Sequence, residues 1–178
     1  MKTKLLSLAA IFMIAIFSNN VMAQNTATTG DVDVTATIIA PISISAGTEM
    51  NFGTIVTGTG ISTIKLTDVA STVRTVESGD ASFPSTTGDT PTSSSFTVGG
   101  EGAYGFDITL PGSIVITNGT PAEDMTVNAF TSNGTISDSS SVLSAGTFAL
   151  YVGATLNLAA DQPSGVYAGT YTVTVAYN

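Results

Sequence analysis

Apolar and polar residues alternate with a period of two from residue 31 to the end of this chain, and a period of 3.6 does not recur, so strands rather than helices must carry its core. The last segment shows the pattern most cleanly. Over residues 170–177, Tyr171, Val173, Val175 and Tyr177 share one face while Thr170, Thr172, Thr174 and Ala176 share the other. Successive strand side chains point to opposite faces, so such a segment lays one row on a core and the other in water. The same alternation predicts a half-buried strand over residues 31–38, with Val32, Val34, Ala36 and Ile38 inward, stopped near Pro41. Further strands are predicted over residues 50–55, 61–66, 104–110, 113–117, 125–131 and 148–158, the last being the longest. Gly58-Thr59-Gly60, Pro111-Gly112, Asn118-Gly119, Asn133-Gly134 and Gln162-Pro163-Ser164-Gly165 punctuate them as turns. Many short strands with turn signals between them predict an all-β fold, a single antiparallel β-sandwich of immunoglobulin-like or pilin-like type. An eight-stranded outer-membrane barrel would need segments of about 10 residues and aromatic girdles. Here aromatics are 7% and scattered.

The N-terminus reads differently. Lys2 and Lys4 precede an apolar run over residues 5–17, and Val21 and Ala23 place small residues before Gln24. This is the layout of a helical secretory signal peptide, with cleavage expected after Ala23 and residues 24–178 left as one β-sandwich domain. The run is shorter than the roughly 20 residues that span a bilayer. Without a cysteine after it, no lipid anchor is expected. The expected destination is the periplasm, the cell surface or the medium, with no transmembrane segment after cleavage.

Residues 24–178 hold Lys65 and Arg74 against thirteen acids, a net charge of 2 − 13 = −11. Such a surface repels phosphate backbones, which excludes nucleic acid as a partner. Histidine and cysteine are both absent. That removes Ser-His-Asp and Cys-His nucleophiles, the usual zinc ligand sets and every disulfide. No enzymatic activity, catalytic residue, metal or cofactor is therefore expected.

Each remaining motif has a plainer explanation. Gly100-Glu101-Gly102-Ala103-Tyr104-Gly105 matches G-x-G-x-x-G, but a strand pattern follows it where a phosphate-binding helix would be needed. A turn is expected instead. Asp31 with Asp33, and Glu123 with Asp124, are the close acidic pairs, read as solvated surface acids; Asp161 joins them as a candidate only for a carboxylate hydrolase. Asn118-Gly119-Thr120 and Asn133-Gly134-Thr135 fit the glycosylation pattern but read as hairpin turns. Lys65 is expected as an edge-strand charge near Asp68. Residues 78–102, rich in Ser, Thr, Gly and Pro, are expected to form a long mobile loop around a short strand at 95–98.

Pro41-Ile42-Ser43-Ile44, then Met50-Asn51-Phe52-Gly53-Thr54-Ile55, resembles the opening of the domain of unknown function 4402 family of secreted bacterial proteins. Residues 162–178, from Gln162-Pro163-Ser164-Gly165 to Tyr177-Asn178, are similar to that family's close. The resemblance implies a β-sandwich distantly like spore coat protein U and the chaperone–usher pilins, with no assigned activity. The expected function is an exported structural or adhesive surface protein, a candidate filament subunit acting through its sheet edges. Its partner would be itself, by strand pairing, or another surface protein or glycan. The alternative expectation is a monomeric binding module that recognises a glycan or protein through its loops. The last strand is expected to close the domain's own core, beside residues 31–38 of the same chain or of another copy.

Overall fold

The computed structural model describes residues 30–85, 90–134 and 142–178. The chain divides into two units, Met1–Thr37 and Ile38–Asn178. The expected signal peptide lies outside the described residues, and only residues 30–37 of the first unit are described.

The second unit is all-β: β1 (Ser43–Ala46), β2 (Ser62–Leu66), β3 (Arg74–Ser78), β4 (Ser94–Gly99), β5 (Phe106–Thr109), β6 (Ser113–Ile116), β7 (Met125–Ser132), β8 (Thr147–Leu158) and β9 (Thr174–Tyr177). Among the described residues one 3-10 turn, Pro121–Glu123, interrupts them. Every pairing between strands is antiparallel. The expected all-β antiparallel sandwich is therefore the observed class.

β8 organises the fold. Its first half pairs with β4 and its second half with β2, while β7 runs along it from Val152 to Asn157. Val152 is bridged by both Ser94 and Ser132, and Thr155 by both Lys65 and Asn128. A residue has two edges, so β4 and β2 must share one edge of β8 and β7 must hold the other. The changeover falls at Gly153. A Cβ there would lie 2.3 Å from the Leu66 carbonyl oxygen, so only glycine lets the end of β2 turn this close to β8. Around this axis Phe148, Leu150, Val152, Ala154, Leu156 and Leu158 occupy one face, as the period of two requires.

Two apolar clusters form the core. One gathers Ile64, Met125, Val127, Leu156 and Leu158; the other gathers Val98, Phe106, Ile108, Leu143, Leu150 and Val152. Met50 and Phe130 pack against both. Phe130 reaches its place through a bulge in β7 between Asn128 and Thr131, where Ala129 takes φ 47°. The second sheet is β5 with β9; ahead of β9, Ala168 makes an isolated bridge to Thr117, just past β6. Tyr171, Val173, Val175 and Tyr177 turn inward onto the second cluster.

Four expectations are corrected. Residues 50–55 form no regular strand; Asn51 makes an isolated bridge to Thr92. Residues 31–38 form no strand; Val32, Val34 and Ile38 are 85%, 92% and 94% exposed. Alternation fitted them for a sheet, but no neighbouring strand pairs with them. Residues 78–102 are not one long loop. Ser82 bridges Val56, Thr92 bridges Asn51, Ala81, Ser93 and Ser94 are buried, and β4 is six residues long; residues 86–89 lie outside the described residues. Lys65 is not on an edge, because β2 lies between β8 and β3; its ammonium pairs with Glu77 of β3 at 3.6 Å. β3 itself has no counterpart among the predicted strands.

Asp80 ties the end of β3 to the turn at residues 58–60. Its carboxylate accepts hydrogen bonds from the amides of Gly60 (3.2 Å) and Thr59 (3.0 Å) and from the Thr59 hydroxyl (3.3 Å). The Gly60 amide is the largest influence and lowers its pKa below 3.8; desolvation opposes it, and the Thr59 amide and hydroxyl add to the lowering. A carboxylate favoured in the folded state stabilises it above the unfolded pKa, and that contribution is lost as pH falls through the lowered value. Asp80→Asn should therefore flatten the fall in stability below about pH 4, measured by denaturant midpoints across pH. Gly153→Val should cost at least about 2 kcal/mol by the same measurement, because β2 and β8 cannot both keep their register around the added side chain.

Candidate interaction groove

β1 and β9 are both edge strands, each paired along one side only. The chain through β1 continues to Val56, and its backbone bonds go to β4, Thr92 and Ser82, all along one edge. The backbone through β9, from Ala168 onward, bonds among the described residues to residues 105–117. The other edge of each pairs with no described strand. The segments that continue from β1 and lead into β9, residues 46–57 and 162–171, wall an open groove of about 1510 Å3.

The walls are tied together at both ends. At one end Tyr177 sends its hydroxyl to the Ala40 carbonyl (2.9 Å) and accepts from the Glu101 amide (2.6 Å). The Ala40 amide in turn donates to the Glu101 carboxylate at 3.3 Å. At the other end the Thr57 hydroxyl donates to the Gln162 carbonyl at 3.4 Å. Because Ala40 meets Tyr177 and Thr57 meets Gln162, the two walls run antiparallel. Between the ties stands a gap onto the core, floored by Phe96, Ile114, Ile116, Met125, Leu156 and Leu158.

Particular side chains hold each wall. Arg74, the sole arginine, donates to the carbonyls of Phe52 and Thr54 (3.1 Å to Thr54) and lies 3.9 Å from the Phe83 ring centroid. A guanidinium satisfies two carbonyls and an aromatic face at once, which a lysine could not do. On the opposite wall Gln162 is buried. It accepts from the Ala159 amide (3.1 Å) and donates to the Glu123 carbonyl and to the Tyr167 hydroxyl (3.1 Å). Tyr171 reaches in from the β9 side between Phe130 (ring centroids 5.1 Å apart) and Phe96 (6.5 Å). Burial pushes the pKa of its hydroxyl above 10.0, against a weaker opposing influence of Ser94, and the oxygen accepts or donates no hydrogen bond among the described residues.

The residues singled out in the sequence do not gather here. Asp31 and Asp33 are exposed, Asp161 lies on a surface turn, and Glu123 accepts from the Asn118 amide group at 2.6 Å. Among the described residues no three acids come together as a metal site would need. Gly100 to Gly105 form the turn from β4 to β5, as expected; a Cβ on Gly100 would lie 2.2 Å from the Tyr177 hydroxyl, so that glycine makes room for the clasp at Ala40. Asn118-Gly119 opens the turn between β6 and β7, lengthened by the 3-10 segment. Asn133 instead clasps β8, donating to the Ala149 carbonyl (2.9 Å) and accepting from the Tyr151 amide (2.7 Å).

The model of one protein family, described as a domain of unknown function (DUF4402), matches residues 42–177. That span runs from the start of β1 to the end of β9. The chain belongs to the DUF4402 family. The match takes in both groove walls and the whole floor, so the groove is built entirely from the DUF4402 domain, while residues 31–38 precede the matched span. No curated protein and no solved structure matches the chain. No helix among the described residues is long and apolar enough to cross a membrane.

The Tyr177 clasp is directly testable. Tyr177→Phe should cost about 1–2 kcal/mol, because the Glu101 amide and Ala40 carbonyl lose a shared partner. Faster hydrogen exchange at Glu101, with the exchange of β8 amides unchanged, is the expected local signature.

Proposed function

We propose that this DUF4402 protein is an exported structural or adhesive surface protein that works by associating through its sheet edges, as a filament subunit does. The observation that carries the reading is the groove between residues 46–57 and 162–171, the segments that continue from edge strand β1 and lead into edge strand β9. Exposed strand edges offer rows of backbone donors and acceptors, and an open apolar floor beside them favours a covering partner. A groove of about 1510 Å3 also exceeds the roughly 300–1,000 Å3 typical of small-molecule pockets. Its shape suits an extended polypeptide better than a compact ligand.

The acidic surface supports the same reading. Residues 24–178 carry a net −11, which suppresses indiscriminate sticking, so association has to be directed by backbone pairing and shape. Light scattering of the purified chain over a wide concentration range, with electron microscopy of the same samples and of cell-surface material, tests the proposal. Oligomers or filaments that grow with concentration are expected. Strictly monomeric protein at every concentration, and no filaments on cells, would overturn it.

A further inference from the structure

We infer that Asn118 modifies itself: the Gly119 amide nitrogen attacks the Asn118 side-chain carbonyl, ammonia leaves, and the carboxylate that results loosens the groove wall at residues 162–168. This goes beyond association through sheet edges and concerns the turn between β6 and β7. An Asn-Gly pair allows the reaction because glycine has no side chain to shield its nitrogen. The chain holds two such pairs, Asn118-Gly119 and Asn133-Gly134, and the fold treats them in opposite ways.

At Asn118 three of the reacting atoms each meet a group suited to the step. The Thr120 amide donates to Asn118 Oδ1 at 2.9 Å. That bond turns the side chain forward over Gly119 and polarises the carbonyl under attack, as an oxyanion donor does. The Gly119 amide donates to the Thr117 hydroxyl at 3.0 Å, which gives its proton an acceptor. Asn118 Nδ2 donates to Glu123 Oε2 at 2.6 Å. A carboxylate at that distance favours positive charge on the nitrogen, the protonated form in which it leaves. Gly119 is exposed at φ 92°, with nothing within 4 Å of where a Cβ would stand, so water has access. Asn133 differs. Its amide group is committed to β8, accepting from Tyr151 and donating to Ala149, which holds it across to a neighbouring strand instead of over Gly134.

One bond forms, between Gly119 N and Asn118 Cγ, and one breaks, between Asn118 Cγ and Nδ2. Gly119 gives its proton to solvent through Thr117, the leaving nitrogen takes one from solvent and departs as ammonia, and nothing is oxidised or reduced. Water then opens the cyclic imide at either carbonyl, leaving aspartate or isoaspartate.

The same turn carries the groove wall. Thr117 and Ala168 exchange amide-to-carbonyl bonds of 3.0 Å, and a Cβ on Gly165 would lie 3.2 Å from Asn118 Nδ2. The Glu123 carbonyl accepts from Gln162, which also donates to Tyr167 at 3.1 Å. A carboxylate at position 118 has no hydrogen to donate to Glu123 and sets two negative charges side by side. Glu123 is pushed away, and the hold of the turn on residues 162–168 weakens.

The test follows the purified chain at neutral pH by site-resolved mass spectrometry, beside the same chain unfolded in urea. In the folded chain, position 118 should convert from amide to acid at least about 10-fold faster than position 133, which must first break its two bonds to β8. It should convert no more slowly than in urea, whereas position 133 should speed up on unfolding. Glu123→Gln, which can still accept from Nδ2, should slow position 118 by about 10-fold when folded and leave its rate in urea unchanged. The converted fraction, separated by its added negative charge, should exchange the Thr117 and Ala168 amides faster than fresh protein, with β8 unaltered. Asn118→Asp should show that exchange without incubation. Equal rates at 118 and 133, faster conversion at 118 in urea than in the folded chain, or no slowing by Glu123→Gln overturns the assisted reaction. Unaltered Thr117 and Ala168 exchange in both the converted chain and Asn118→Asp overturns its effect on the wall.

Discussion

Everything in this domain hangs on β8 being paired along both edges while one of those edges is divided between two strands. β4 takes the half up to Val152 and β2 the half from Ala154, and Gly153 is the point at which the partner changes. One strand therefore supports two apolar clusters, with Leu150 and Val152 in one and Leu156 and Leu158 in the other. A chain without cysteine can use this arrangement in place of a staple, because a strand bonded on both sides cannot leave without breaking two ladders. The groove is a consequence of the same geometry. β1 is held through β4 and β9 through β5, so nothing in the β8 ladder draws those two outer strands together except the ties at their ends.

Those ties explain why the gap is held open at a set width. Tyr177 at one end and the Thr57–Gln162 contact at the other join the two walls. Arg74 and Gln162 then stiffen each wall from behind. A site fixed by side chains on ordered strands keeps its shape when empty, which lowers the ordering cost of binding and leaves that cost to the incoming segment. For an extended segment rich in β-branched residues the cost is moderate, since such side chains already restrict their own rotamers.

The elements legible in the sequence were those whose alternation is reinforced by burial. β8, β5, β6, β7 and the inward face of residues 171–177 all follow from a period of two. β3 escaped because only Val76 of its five residues is apolar and aliphatic, and it is recognisable mainly by its position beside β2. Residues 78–102 misled because Ser and Thr dominate them; Ser93 and Ser94 are nonetheless buried, and the Ser93 hydroxyl donates to the Val69 carbonyl and accepts from the Thr72 hydroxyl. The groove had no signature at all. A gap between two edge strands depends on which strands fail to meet, and that is a property of topology rather than of any local run of residues.

Residues 31–38 show the limit of periodicity from the other side. Alternation specifies a strand that is half-buried by something, without specifying which molecule supplies the rest. A free strand of Val, Ile and Thr is an aggregation hazard, and charged residues at alternate positions are a recognised defence against pairing with the wrong edge. Asp31 and Asp33 are placed in that way. Two neighbouring carboxylates on one face repel a second identical segment laid flat against it. The same two residues thus oppose edge-to-edge stacking of a segment whose other face is apolar, so alternation and exposure coexist in residues 31–38 without inviting indiscriminate pairing.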